Sequence, residues 1–175
     1  MSQLSEVTDP SFLDGLQGWT LEELRARRAD ATATETGLSY MRRIVQGRLD
    51  IVLAEQEHRR TGDRADVSRL VEELPSILSG NVHAPGLGRL TTVLAPGELD
   101  PDLEERLEGI LPAAKLGGLT GITDGELAEA AGGLAELERS VSATRRAVLD
   151  VLDRLQEEIV RRYRTGEATV DSLIP

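Results

Sequence analysis

The sequence predicts an all-α protein: an antiparallel coiled-coil hairpin of two long, duplicated helices, with a linker that contains short helices. Three observations predict it. Segments 20–61 and 123–165 run without a proline, each between a capping box and a Thr-Gly stop. Each carries an apolar residue at every seventh position, the repeat of a coiled coil. Only Phe12, Trp19, Tyr40 and Tyr163 are aromatic among 175 residues. Strands favour aromatic and β-branched side chains, so this shortage suits helices packed through Leu, Val and Ala.

The elements follow in order. Residues 1–19 are polar, carry Asp9-Pro10 and read as a flexible N-terminus. Trp19 precedes the Thr20 cap and reads as a hydrophobic staple packed near Glu23-Leu24. In the first long helix, 20–61, Thr20 and Glu23 form the capping box, and Leu24, Ala31, Leu38, Val45 and Val52 form the seam. At ~1.5 Å per residue such a helix is roughly 60 Å long, more than an ordinary bundle of this size uses. The linker, 62–122, is punctuated by Gly and Pro. Within it 66–74 and 101–111 read as short helices, the latter with Pro101 at its first position, and 80–97 and 117–121 as loops. The second long helix, 123–165, opens on Thr123 and Glu126 and has Leu127, Leu134, Val141, Val148 and Leu155 as its seam. The hairpin domain thus spans 20–166, and 167–175 form a C-terminal tail. A linker of this length permits either orientation of the helices; the antiparallel hairpin is the favoured one.

The two long segments align without a gap at an offset of 103 residues. Thr20, Glu23 and Leu24 fall on Thr123, Glu126 and Leu127. Glu35, Ser39, Arg42, Arg43, Val45, Leu49 and Asp50 fall on Glu138, Ser142, Arg145, Arg146, Val148, Leu152 and Asp153. Glu55 and Arg59 meet Glu158 and Arg162. A match of this length indicates duplication.

Composition removes several function classes. The net charge of −11 argues against broad nucleic-acid binding, which needs a basic face, and against an anionic membrane surface. No apolar run approaches the ~18–20 residues that span a bilayer, and the N-terminus lacks the pattern of a signal peptide. With no cysteine there is no disulfide framework, zinc ribbon or thiol nucleophile. The expectation is a soluble cytoplasmic protein. The acidity is uneven: 20–62 holds eight Arg against seven acids, whereas 63–122 holds five basic against ten acidic residues. An anionic ligand is therefore repelled less by the first long helix than by the linker.

A polar stripe flanks the first seam. Glu35, Ser39, Arg42, Gln46 and Asp50, spaced four, three, four and four, fall within about 80° of one another at ~100° per residue. The second copy presents Glu138, Ser142, Arg145 and Asp153 at the same angles, with Leu149 in place of Gln. Such a stripe has a chemical logic. Arginine can fork onto guanine O6 and N7, a carboxylate can accept the N1–H and exocyclic amine of that base, and Ser and Gln can reach ribose or phosphate. The alternative is a pair of solvated coiled-coil flanks that pair across helices. Repetition of Ser favours a site, because solvation alone does not call for a middling helix former at one place twice. Arg43 and Arg146 either assist with phosphates or are solvated.

The pattern Glu-x3-Ser-x2-Arg-x3-Gln-x3-Asp, complete at Glu35, Ser39, Arg42, Gln46 and Asp50 and four-fifths complete at Glu138, Ser142, Arg145 and Asp153, resembles the signature of RsiG-type anti-sigma factors. The capping boxes, hairpin layout and loop-rich middle extend the resemblance over most of the chain. It implies an antiparallel hairpin that binds an intercalated dimer of cyclic di-GMP and, so loaded, silences a sigma factor of the flagellar/sporulation (WhiG-like) type. By that resemblance the Arg and Asp positions read guanine while Glu, Ser and Gln complete the contacts. Leu149 departs from the pattern and replaces a polar contact with an apolar one.

Other signals carry less. Glu55-Gln56-Glu57-His58 holds the Glu-x-x-His of di-iron bundles, but the repeat has Arg161 where the second His belongs. His58 reads as a surface residue. His83 lies among Pro and Gly without a nucleophile or acid beside it, and Arg27-x-x-Asp30 is a common pattern on charged helices. The segment 117–121 is no phosphate loop, since the chain lacks Gly-Lys-Ser/Thr. Without a metal cluster or a nucleophile–base set, the expectation is a binding protein, not an enzyme. A structural coiled-coil adaptor is the competing reading.

Overall fold

A computed structural model describes residues 3–61 and 99–167. The expected linker helix at 66–74, the loop at 80–97 and His83 lie outside the described residues. Among the described residues every regular element is helical: α1 (Gln3–Val7), α2 (Leu21–Thr61), α3 (Pro101–Ile110) and α4 (Asp124–Thr165), with 3-10 turns at Pro10–Leu13, Leu16–Gly18 and Ala113–Gly121. The long helices α2 and α4 pack together as a helical hairpin.

Both long helices start one residue after their caps, and the caps are the expected boxes. Thr20 N–H donates to Glu23 Oε2 at 2.6 Å while Glu23 N–H donates back to Thr20 Oγ1 at 3.2 Å. Thr123 and Glu126 repeat the exchange at 2.8 and 3.3 Å. Each box satisfies backbone donors that a helix start leaves without intrahelical partners. At the other end of α4, Gly166 takes φ +76°, the left-handed turn that glycine adopts without a Cβ penalty.

The chain forms two compact units, and both long helices contribute to each. One unit gathers the described residues of Met1–Tyr40, Pro96–Asp100 and Ser140–Pro175. In it Arg25 Nη2 donates to the Tyr163 hydroxyl at 2.6 Å, whereas Glu35 pairs with Arg145. Advancing along α2 therefore means retreating along α4, so the helices are antiparallel. Leu24, Ala31, Leu38, Val141, Val148 and Leu155 are all buried. The described part of the stretch 1–19 (residues 3–19), expected to be flexible, also joins this core. Val7 on α1 and Phe12 in a 3-10 turn are 1% and 5% exposed. Arg27 holds the stretch from α2, donating from Nη1 to the Phe12 carbonyl at 2.9 Å with its guanidinium over the Phe12 and Trp19 rings. Trp19 thus meets Arg27, a contact the staple reading did not include. From α4, Arg162 donates to the Trp19, Leu16 and Gln17 carbonyls.

The other unit gathers the described residues of Met41–Ala95 and Pro101–Arg139. Met41, Val45, Val52, Leu127, Leu134 and Leu137 are buried here, with Leu103 and Leu107 of α3 and Leu111 and Leu119 beyond it. The direction is again antiparallel: Arg42 approaches Glu138, and Arg59 donates to Asp124 at 2.7 Å. The expected loop at 117–121 is instead part of a 3-10 stretch, broken at Gly118 where φ is −125°. Its carbonyls explain the order. Arg59 donates to Leu119 O at 2.7 Å, so Leu119, the buried residue of this stretch, has a side-chain partner for its carbonyl.

The duplication reaches further back than the long helices. At the same offset of 103, Leu4, Leu13, Gly15, Leu16 and Gly18 fall on Leu107, Leu116, Gly118, Leu119 and Gly121. Arg162 donates to Leu16 O, and its repeat-mate Arg59 donates to the mate of Leu16, Leu119 O. Each i−4 glutamate, Glu158 and Glu55, holds its arginine at 2.8 and 2.7 Å. The duplicated module is thus a short helix, a 3-10 turn, a capping box and a long helix.

Candidate functional site

The seam is wider than one residue per heptad. Thr34, Met41 and Arg48 on α2, and Ala130, Leu137 and Glu158 on α4, are buried beside the main apolar line. Arg48 is accommodated by donating to Leu111 O and to Glu108. This second line turns the flanking polar stripe toward the facing helix rather than out to water, which leaves Glu35, Ser39, Arg42, Gln46, Glu138, Ser142 and Arg145 half-buried.

In the unit containing the chain's N-terminal segment, three of the nine expected site residues meet. Ser39 Oγ donates to Glu35 Oε1 at 2.7 Å. Arg145 Nε lies 2.8 Å from the same carboxylate oxygen and 2.7 Å from Ser39 Oγ. The Arg145 side chain is 32% exposed, and among the described residues its two Nη groups take no hydrogen-bond partner. Its fork therefore remains available.

In the other unit three more meet. Gln46 Nε2 donates to Glu138 Oε1 at 3.0 Å, and Arg42 Nη1 stands 3.7 Å from that oxygen. Arg42 Nε is buried without a hydrogen-bond partner among the described residues. Each unit thus pairs the arginine of one repeat with the glutamate of the other. The units differ where the repeat itself differs. Gln46 occupies Glu138 and Arg42 stays at a distance, whereas Leu149, the mate of Gln46, cannot donate and Glu35 is left to Arg145.

The remaining expected residues are less gathered. Asp50 and Asp153 are exposed on their helices and make no hydrogen bond or ion pair among the described residues, and Ser142 is half-buried. Arg43 and Arg146 are exposed. The Arg27-x-x-Asp30 pattern is engaged elsewhere, Arg27 with Phe12 and Trp19 and Asp30 with Gln3 Nε2 at 3.5 Å. His58, expected at the surface, is half-buried with Nδ1 3.9 Å from Glu55. Among the described residues no three His, Cys, Asp or Glu side chains gather to hold a metal ion, and no helix is long and apolar enough to cross a membrane.

The stripe and its Arg–Glu pairs prompt comparison with known families. Residues 10–78 match the RsiG-like family model. The RsiG-like segment takes in the 3-10 turns that lead into α2, the whole of α2 and the complete five-residue stripe. The match covers less than half of the chain, and the second copy of the stripe lies beyond it. Comparison with curated proteins returns no significant match.

Proposed function

We propose that this chain is a cyclic di-GMP-dependent anti-sigma factor of the cytoplasm, binding the nucleotide through the two polar stripes and, when loaded, sequestering a sigma factor of the flagellar/sporulation type. The observation that carries the reading is the doubled stripe, complete in the RsiG-like segment, with an arginine–glutamate pair in each unit. In each pair the arginine is one-third exposed and held through a single carboxylate oxygen. Pairs of this exposure are worth about 0–1 kcal/mol. A bidentate arginine–guanine contact discriminates by about 1–3 kcal/mol, so exchanging a carboxylate for a base edge is favourable. The exposed Asp50 and Asp153 supply the carboxylates for the N1–H and amine edge, and Glu35 and Glu138 hold the arginines until the base arrives. The chain's role is binding; no step of bond making is assigned to it.

One observation favours a second reading, a coiled-coil adaptor that binds its partner without nucleotide. Ser39 already donates to Glu35 within α2, Arg145 reaches that carboxylate from α4, and Gln46 donates to Glu138 across the helices, as a purely structural stripe would. Titrating cyclic di-GMP into the chain, with and without the sigma factor and beside a GTP control, separates the two. Saturable binding of cyclic di-GMP alone, with tighter sigma-factor association in its presence, is expected. Association that ignores the nucleotide would replace this reading with the adaptor.

A further inference from the structure

One cleft distinguishes the two copies of the duplicated module. It lies within the unit built from α3, the 3-10 stretch and the start of α4, measures about 320 Å³, and is lined by Ile110, Lys115, Ile122, Glu126, Glu129 and Ala130 among others. The repeat offset shows what the first copy has in its place. Lys115, Ile122 and Ala130 are the mates of Phe12, Trp19 and Arg27. Those three form a sandwich in the first copy, with the Arg27 guanidinium 4.9 and 4.4 Å from the two ring centroids and bonded to the Phe12 carbonyl. In the second copy the arginine has become alanine and the indole isoleucine, and the space the stack would fill is open.

We propose that this cleft takes the arginine side chain of a partner protein, in the position the chain's own Arg27 occupies in the first copy. The lining fits that occupant. Ile110, Ile122 and Ala130 offer apolar surface to the aliphatic stem, as arginine stems require when the head is charged. Glu129 is exposed at the cleft and makes no hydrogen bond or ion pair among the described residues, so it can receive the guanidinium. Glu126 is engaged by Thr123 through both its backbone and its hydroxyl and is attracted to Lys115, the cation of the lining, so the guanidinium is left to Glu129. The net charge of −11 draws a basic partner toward the surface. None of this depends on nucleotide binding.

The test is an NMR titration of the 15N-labelled full chain with N-acetyl-arginine amide, beside its lysine and citrulline analogues. Saturable shifts confined to amides around Ile110, Ile122 and Ala130 are expected, weaker by at least about 3-fold with lysine and absent with neutral citrulline. Glu129→Gln, at an exposed position, should weaken arginine binding by at least about 5-fold. Ala130→Arg should remove it by filling the cleft from within. Equal shifts with citrulline, or shifts spread over exposed carboxylates, overturn the proposal. So does a doubling of molecular mass with concentration that Glu129→Gln abolishes, which would assign the arginine to a second copy of the chain.

Discussion

Arg145 Nε lies 2.8 Å from Glu35 Oε1, so the arginine of the second repeat is held by the glutamate of the first. The repeat-mates Arg42 and Glu138 stand 3.7 Å apart. Equivalent residues in duplicated helices therefore hold their partners with unequal strength, and the inequality traces to Gln46 against Leu149. Substitutions at these pairs, and at the arginines that hold the lead-in turns, have distinct expected outcomes.

Arg42→Ala and Arg145→Ala should each lower cyclic di-GMP affinity by at least about 10-fold, the loss of one bidentate base contact. Both variants should stay folded, because each removes only a partly exposed pair worth about 0–1 kcal/mol. Isothermal titration together with helical content by circular dichroism checks both halves. Unchanged affinity in both variants would remove these residues from the site.

Leu149→Gln completes the motif in the second helix. The introduced amide should engage Glu35 as Gln46 engages Glu138, releasing Arg145 from its tight hold. Affinity for cyclic di-GMP should rise by about 3- to 10-fold, the worth of one added hydrogen bond. A fall in affinity would show instead that apolar contact from Leu149 matters more than the missing donor.

Glu158 gives the chain an acid-sensitive point. Its carboxylate is held by Arg161 and Arg162, which bring its pKa from the ordinary 4.5 down to about 2, although burial opposes the change. A depressed folded-state value means that the ionised form stabilises the fold above pH 4.5 and that this contribution disappears as the pH falls toward 2. The contribution is on the order of 1–2 kcal/mol once solvent screening at the exposed Arg161 is discounted. Thermal melts of wild type and Glu158→Gln should differ at neutral pH and converge near about pH 2. A gap that stays constant from about pH 5 to about pH 2 would contradict the assignment.

Arg162→Lys should destabilise the protein by about 2 kcal/mol, because a lysine cannot serve Glu158 and the Trp19, Leu16 and Gln17 carbonyls at once, and the half-buried carbonyls lose their donor. Arg59→Lys, at the equivalent but more exposed position, should cost less. Chemical denaturation of the two variants gives the order, and a larger loss for Arg59→Lys would reverse it.

Much of the fold was legible in the residues. Thr20 and Thr123 with their glutamates three positions on set both helix starts, because capping is a local matter of one side chain and the next turn. The heptad lines from Leu24 to Val52 and from Leu127 to Leu155 are buried throughout, since helical period and packing face are the same information. The duplication placed eight of the nine site candidates on matched positions, Gln46 being the one whose mate, Leu149, differs. Between Leu4 and Gly18 it was far less legible. Only scattered leucines and glycines are shared there, and the common element is a set of backbone carbonyls that no side-chain identity records.

The sequence by itself determined the all-α class, the two long helices, their caps and the polar stripe. Tertiary structure alone decided that Arg145 belongs to Glu35 and Ser39, that Arg48 and Arg162 are core residues despite their charge, and that residues 3–19 are anchored. Those outcomes depend on which carbonyl or carboxylate comes within hydrogen-bonding reach of a residue as near as 15 or as far as 146 positions away in the chain. A periodic pattern states which face a side chain occupies; it does not state what waits on the other side.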